Sequence, residues 1–175
     1  MSFKSWLFKE EQSSMLQIPS KKQETLYDCG PAALYAIIKY FKIKPSSYED
    51  LVKDCKTTNY YGTDPKNIIK VASDYGLKTK EYNDMTLKQL ESVLDKEKPV
   101  IINIQAWCND NLIHDLSCGH YVIAIGYDEN NIYYKDPFFH AKNTSKMAKH
   151  EFLKRWKDKK SNGKILNHHA ISFWK

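Results

Sequence analysis

Cys29 has the surroundings of a reactive residue. The run Gln23-Glu24-Thr25-Leu26-Tyr27-Asp28-Cys29-Gly30 leads straight into Pro31-Ala32-Ala33-Leu34, and Leu34, Ile37, Ile38 and Phe41 keep the spacing of a helix's buried stripe. Pro31 suits a first helical turn, where its missing N–H would have had no partner, and Asp28 is expected to cap the helix. A cysteine at that end feels the helix's partial positive charge and unpaired N–H groups, which favour thiolate over thiol. Nucleophilic acyl chemistry is what such a placement serves.

A thiolate needs a base, and the base needs a carboxylate to orient it. His120 opens the β-branched and aromatic run Tyr121-Val122-Ile123-Ala124-Ile125-Gly126-Tyr127. The polar turn Asp128-Glu129-Asn130-Asn131 follows, and then Ile132-Tyr133-Tyr134-Lys135, closed by Asp136-Pro137. Two strand-like runs around a short Asn-containing turn predict a β-hairpin. Antiparallel pairing would set the start of the first strand beside the end of the second, making His120 and Asp136 neighbours. Attack on a carbonyl also creates an oxyanion that needs fixed donors. The Gln23 amide, just upstream of the helix, and the Cys29 backbone N–H are suitable ones.

Gln23, Asp28-Cys29-Gly30, Gly119-His120-Tyr121-Val122, Gly126-Tyr127-Asp128 and Asp136-Pro137, in that order, resemble the C39 peptidase family. These are papain-like cysteine peptidases, best known as the leader-peptidase domain of bacteriocin ABC exporters. The resemblance runs from about Ile18 to the C-terminus, where Glu151-Phe152-Leu153 and Trp156 look like the family's last helix. With no membrane or ATPase segment in the chain, it is closest to the stand-alone C39-like proteins. It implies a catalytic Cys29, base His120, orienting Asp136 and Gln23 in the oxyanion hole, acting on a leader peptide or another specific protein.

The chain's 175 residues fit one domain with a real core, and its 42% hydrophobic and 13% aromatic content fits a folded protein. The net charge of +6 raises a nucleic-acid reading, but Arg155 is the only arginine and the lysines are scattered. The cluster Lys154, Arg155, Lys157, Lys159 and Lys160 reads as a solvated face, so no nucleic-acid partner is expected. No apolar run approaches the roughly 20 residues of a membrane span, and residues 1–17 carry charges where a signal peptide needs an apolar core. A cytoplasmic location is expected, with secretion lacking a cleaved signal left open. Cys29, Cys55, Cys108 and Cys118 show no CxxC spacing, so neither a disulfide framework nor a metal site is expected. His168 and His169 adjoin on a terminal strand and point opposite ways, which disfavours a shared ion.

The elements that must position these residues follow an α+β order. Ser47 with Asp50, Thr63-Asp64-Pro65, and Thr86 with Gln89 mark three further helix starts, and Gly76 marks a stop. From Pro99 the pattern turns to strand, with Val100-Ile101-Ile102-Asn103-Ile104 as a central strand. A last helix falls near 150–157. The organisation is therefore an extension over 1–17, with Phe3, Trp6 and Leu7 expected to pack on the core, a mainly helical half over 18–98, and a mainly β half over 99–175. The resemblance implies the papain-like version of this fold.

The polar loop from Ala106 to Gly119 delivers His120 and is expected to wall the substrate groove. Trp107, Gly119 and Asp28 are the candidate substrate contacts, although Trp107 also reads as an anchor in the core. His114, mid-loop, is a poorer base than His120. No metal or organic cofactor is required. The same triad can serve a deamidase or transglutaminase, and the fold can persist as a binding module without turnover. A peptide or protein is the expected substrate in every enzymatic case. The oligomeric state is not legible.

Overall fold

A computed structural model describes residues 15–106, 110–139 and 144–175. Helix α1, Cys29–Tyr40, buries Leu34, Ile37 and Ile38, the stripe read from its spacing, while Phe41 falls at its C-cap. The three other N-terminal starts also form. In α2, Tyr48–Asp54, the Ser47 hydroxyl accepts from the Asp50 N–H. Helix α3, Pro65–Asp74, has Asp64 as its cap and stops before Gly76, whose φ of +75° is costly for other residues.

Between α3 and the next helix lies β1, Lys78–Tyr82. This strand falls inside the half expected to be mainly helical. Its sequence, Lys-Thr-Lys-Glu-Tyr, is that of an edge strand guarded by charge, which suppresses the usual alternation signal. Helix α4, Leu87–Leu94, opens with a complete capping box between Thr86 and Gln89.

The remaining elements are β2 (Val100–Gln105), α5 (Asp110–Asp115), β3 (Gly119–Tyr127), β4 (Asn131–Lys135), β5 (Ser145–Ala148), α6 (Lys149–Arg155), β6 (Lys157–Lys159), β7 (Ile165–Asn167) and β8 (Ala170–Trp174). Six strands form one antiparallel sheet in the order β1-β8-β2-β3-β4-β5, and β6 with β7 makes a separate ribbon. Every residue of β2 is buried, as expected of a strand flanked on both sides, with Asn103 and Gln105 satisfied by hydrogen bonds to Asp158. Ile101, Ile102, Val122, Ile123, Ile171 and Phe173 join Leu34, Ile37 and Ile38 in one core, so the sheet and α1 share it. Upstream of α1, Leu16 enters the same core, and its N–H donates to the Ile125 carbonyl at 2.8 Å. Residues 1–14, with Phe3, Trp6 and Leu7, lie outside the described residues.

Two expectations from the cysteines and the basic cluster need correction. Cys118 is disulfide-bonded, whereas Cys29 and Cys55 are free thiols. Spacing alone missed this, because a bridge depends on how a loop folds back and not on a CxxC count. Cys108 lies outside the described residues. The lysine and arginine cluster does not occupy one helical face, since α6 ends at Arg155 and β6 begins at Lys157. Arg155 is engaged by Glu151 and donates at 3.0 Å to the Gln105 carbonyl. Among the described residues no group of three or more His, Cys, Asp or Glu is placed to hold a metal, and no helix is long and apolar enough to cross a membrane.

Candidate active site

Cys29 is the first residue of α1 and is nearly buried, at 7% exposure. The first N–H groups of any helix lack intrahelical acceptors, so the sulfur sits beside donors and the positive end of the dipole. Helix packing presses close behind it. A Cβ on Gly30 would lie 3.0 Å from the Thr63 Cβ, which makes glycine the natural residue after Cys29. The Thr63 carbonyl in turn accepts from the buried Tyr121 hydroxyl at 2.8 Å, tying the α1–α3 side of the site to strand β3.

Asp28 does not cap α1; its side chain makes no bond to the helix. Its carboxylate instead accepts from the N–H groups of Thr25 and Glu24 at 3.0 and 3.2 Å and from the Tyr48 hydroxyl at 3.0 Å. The residue type that suits a cap equally suits an Asx-type loop, and the loop won. Burial and the Asp28 charge raise the Tyr48 pKa, so this hydroxyl remains a donor. Asp28 is 2% exposed and sets the 24–28 turn before Cys29. Tyr48 is a positioning residue that sequence reasoning missed, because nothing local links it to a turn twenty positions upstream.

The predicted hairpin forms, with Ile123 opposite Lys135 and Ala124 opposite Tyr134. Continuing that register sets Asp136 opposite Val122, diagonal to His120 on the same face. His120 Nε2 lies 2.7 Å from Asp136 Oδ1, with both side chains almost wholly buried. Asp136 Oδ1 also accepts from the Phe138 N–H at 2.9 Å. With Nε2 engaged by Asp136, Nδ1 is the ring nitrogen left over, and Cys29 lies close enough to His120 to act on its titration. Burial by itself would lower the imidazole's pKa. The charge of Cys29 and the bond to Asp136 outweigh it and raise the value to about 9. Imidazolium is therefore the favoured form of His120 at neutral pH. Burial also pushes the Cys55 thiol up to about 12.

Gln23 is also buried. Its N–H donates to the Pro137 carbonyl at 2.9 Å, and its side-chain Nε2 donates to the Thr25 carbonyl at 2.6 Å. One amide N–H of Gln23 thus shapes the loop. His114 lies in the last turn of α5 and is exposed. His169 is buried between Asn103 and Glu81, at 2.8 and 2.9 Å, and His168 stacks on Trp156, so the two share no ligand. Trp107 lies outside the described residues.

Gly119 belongs to a polar support under the start of β3. Asp158, on β6, accepts from Asn103 Nδ2 at 3.3 Å and from Gln105 Nε2 at 3.2 Å. Gln105 Oε1 accepts from the Cys118 N–H at 3.0 Å. A Cβ on Gly119 would fall 2.4 Å from Asp158 Oδ1. Gly119→Ala is therefore expected to cost about 1–3 kcal/mol, the usual range for overpacking against a pinned neighbour. It should also slow alkylation of Cys29 by moving His120. Urea midpoints and labelling rates check both effects, and an unchanged protein would mean that Asp158 moves aside freely.

The sequence signature of the Peptidase_C39 like family matches residues 15–163, most of the chain. The chain belongs to the Peptidase_C39 like family. Solved structures agree on the fold. A protein from Bacillus anthracis described as a C39-like peptidase superposes with a TM-score of 0.74 at 17% identity, covering 94% of this chain and 98% of its own. The peptidase domain of Streptococcus ComA, a bifunctional ABC transporter of a quorum-sensing pathway, gives 0.64 at 23% identity over 89% and 97%. A double-glycine motif protease from an AMS/PCAT transporter, solved with its leader peptide, gives 0.62 at 24% identity over 91% and 93%. Among curated proteins no significant match was found. The α+β, papain-like architecture of C39 peptidases is thus the fold of this chain, with helices against a mostly antiparallel sheet.

Proposed function

We propose that the chain is a cysteine peptidase that hydrolyses a peptide bond of a peptide or protein substrate. The observation that carries the reading is one buried imidazole, His120, held by Asp136 at 2.7 Å and electrostatically coupled to Cys29, the first residue of a helix. The Cys29 thiolate attacks the carbonyl carbon, and the carbonyl electron pair moves onto oxygen. The Cys29 N–H and the remaining Gln23 N–H face that oxyanion. On collapse the C–N bond breaks, and the imidazolium of His120 gives its proton to the leaving nitrogen. Water then attacks the thioester with His120 as base, restoring the thiolate and releasing the carboxylic product. Family membership and the leader peptide bound by the AMS/PCAT protease support a peptide substrate.

The first test needs no substrate. Iodoacetamide labelling, mapped by peptide mass, is expected to reach Cys29 quickly below the ordinary thiol pKa of about 8.5, to spare Cys55, and to slow at Cys29 in His120→Ala. Equal labelling of Cys29 and Cys55, or indifference to His120, would remove the thiolate–imidazole pair and with it the peptidase reading.

A further inference from the structure

The loop ahead of the nucleophile and the turn after Asp136 enclose a depression of about 240 Å³ lined by Lys22, Gln23, Glu24, Thr25, Leu26 and Phe138. Large apolar groups stand open around it. Leu26 is 87% exposed and Phe138 is 39% exposed, and Phe139, edge-on to Phe138 at 5.4 Å, extends the surface. A cluster of exposed apolar side chains beside a nucleophile marks a binding surface more often than an accident of packing. We propose that this depression receives the side chain of the substrate residue that follows the scissile bond, and that it selects a large apolar one.

The inference rests on the peptidase reading and adds a specificity to it. Two placements set the side of the bond. The leaving nitrogen must lie against His120, which gives it a proton, and the segment next to that ring is the Asp136–Phe138 turn, where Phe138 N–H and His120 share one carboxylate oxygen. Gln23, the proposed oxyanion donor, lines the same depression, so its mouth borders the reacting carbonyl. The volume falls below the roughly 300–1,000 Å³ of sites for drug-sized ligands, which suits one side chain. Lys22 and Glu24 bring opposite charges, so the rim selects no sign, and the apolar contribution comes from Leu26 and Phe138.

The walls are also held before substrate arrives. Asp28 fixes the backbone of Glu24 and Thr25, the Gln23 N–H binds the Pro137 carbonyl, and Phe138 is tied by its own N–H to Asp136. Preorganised walls lower the entropy lost on binding.

A proteome-derived peptide mixture with blocked amines, digested by wild type, Leu26→Ser and Phe138→Ala, reads the preference directly from the first residue of each new N-terminus. Phe138→Ala keeps the backbone N–H that serves Asp136. Wild type is expected to release peptides beginning with Leu, Ile, Met or Phe, and the variants to lose about tenfold or more of that enrichment, as a hydrophobic pocket loses when it no longer fits. Cleavage with no preference at that position, or a preference unmoved by both variants, would overturn the subsite and leave the peptidase standing. Absence of any cleavage by wild type would overturn the peptidase reading and the subsite together.

Discussion

Cys29→Ala is expected to abolish peptide cleavage, with a loss of roughly ten-thousand-fold or more, because removing the nucleophile of a catalytic unit costs about as much as removing the whole unit. Its effect on folding should be small. The side chain loses one sulfur at the mouth of the site, where Cys29 retains 7% exposure, and helix α1 keeps its apolar face against the sheet. Paired measurement of turnover and thermal midpoint checks the claim. Full activity in Cys29→Ala would place the chemistry elsewhere. A full cellular effect without any turnover in wild type would favour the binding-module reading.

The second large effect concerns pH and Asp136. In the proposed mechanism His120 must be protonated when the leaving amine departs, and its pKa is raised to about 9. The acid form is present below that value and lost above it. Wild-type kcat/KM is therefore expected to hold through neutral pH and fall as pH rises through about 9. Part of the elevation comes from Asp136, so Asp136→Ala should move this alkaline limb to lower pH. It should also reduce the rate by about a hundredfold to ten-thousandfold, in the range of a misplaced general acid–base group. Asp136→Asn keeps an oxygen that can accept from both His120 Nε2 and the Phe138 N–H. It should hold the ring's tautomer and recover much of the rate, while the limb still shifts down for want of the charge. A pH profile of kcat/KM for the three proteins checks this. An alkaline limb common to all of them would mean that Asp136 does not tune the imidazole.

Among these residues, local signals and long-range contacts can be separated. The helix starts at Ser47, Asp64 and Thr86 were legible because a cap and its partners lie within three residues of each other. The proximity of His120 and Asp136 was legible for a related reason: a short turn and the period-two pleat of two strands leave little freedom in their register. The position of Cys29 at the head of an apolar helix was equally local.

Other features depended on partners far away in the chain. β1 pairs with β8, so its polar sequence becomes a strand only because β8 offers an open edge. Asp28 serves the turn and Tyr48 instead of its own helix, since two competing uses of one carboxylate were decided by which donors came near. The disulfide at Cys118, the Asp158 carboxylate filling the space beside Gly119, and the Gln23 side chain bound to Thr25 also lie beyond spacing rules. The sequence by itself determined the helix starts, the central strand β2 and the β3–β4 hairpin, because these follow from local hydrogen bonding and hydrophobic period. Tertiary structure decided which ring nitrogen Asp136 takes, what supports Gly119 and which apolar side chains border the depression beside Gln23, because burial and contact across the fold set those.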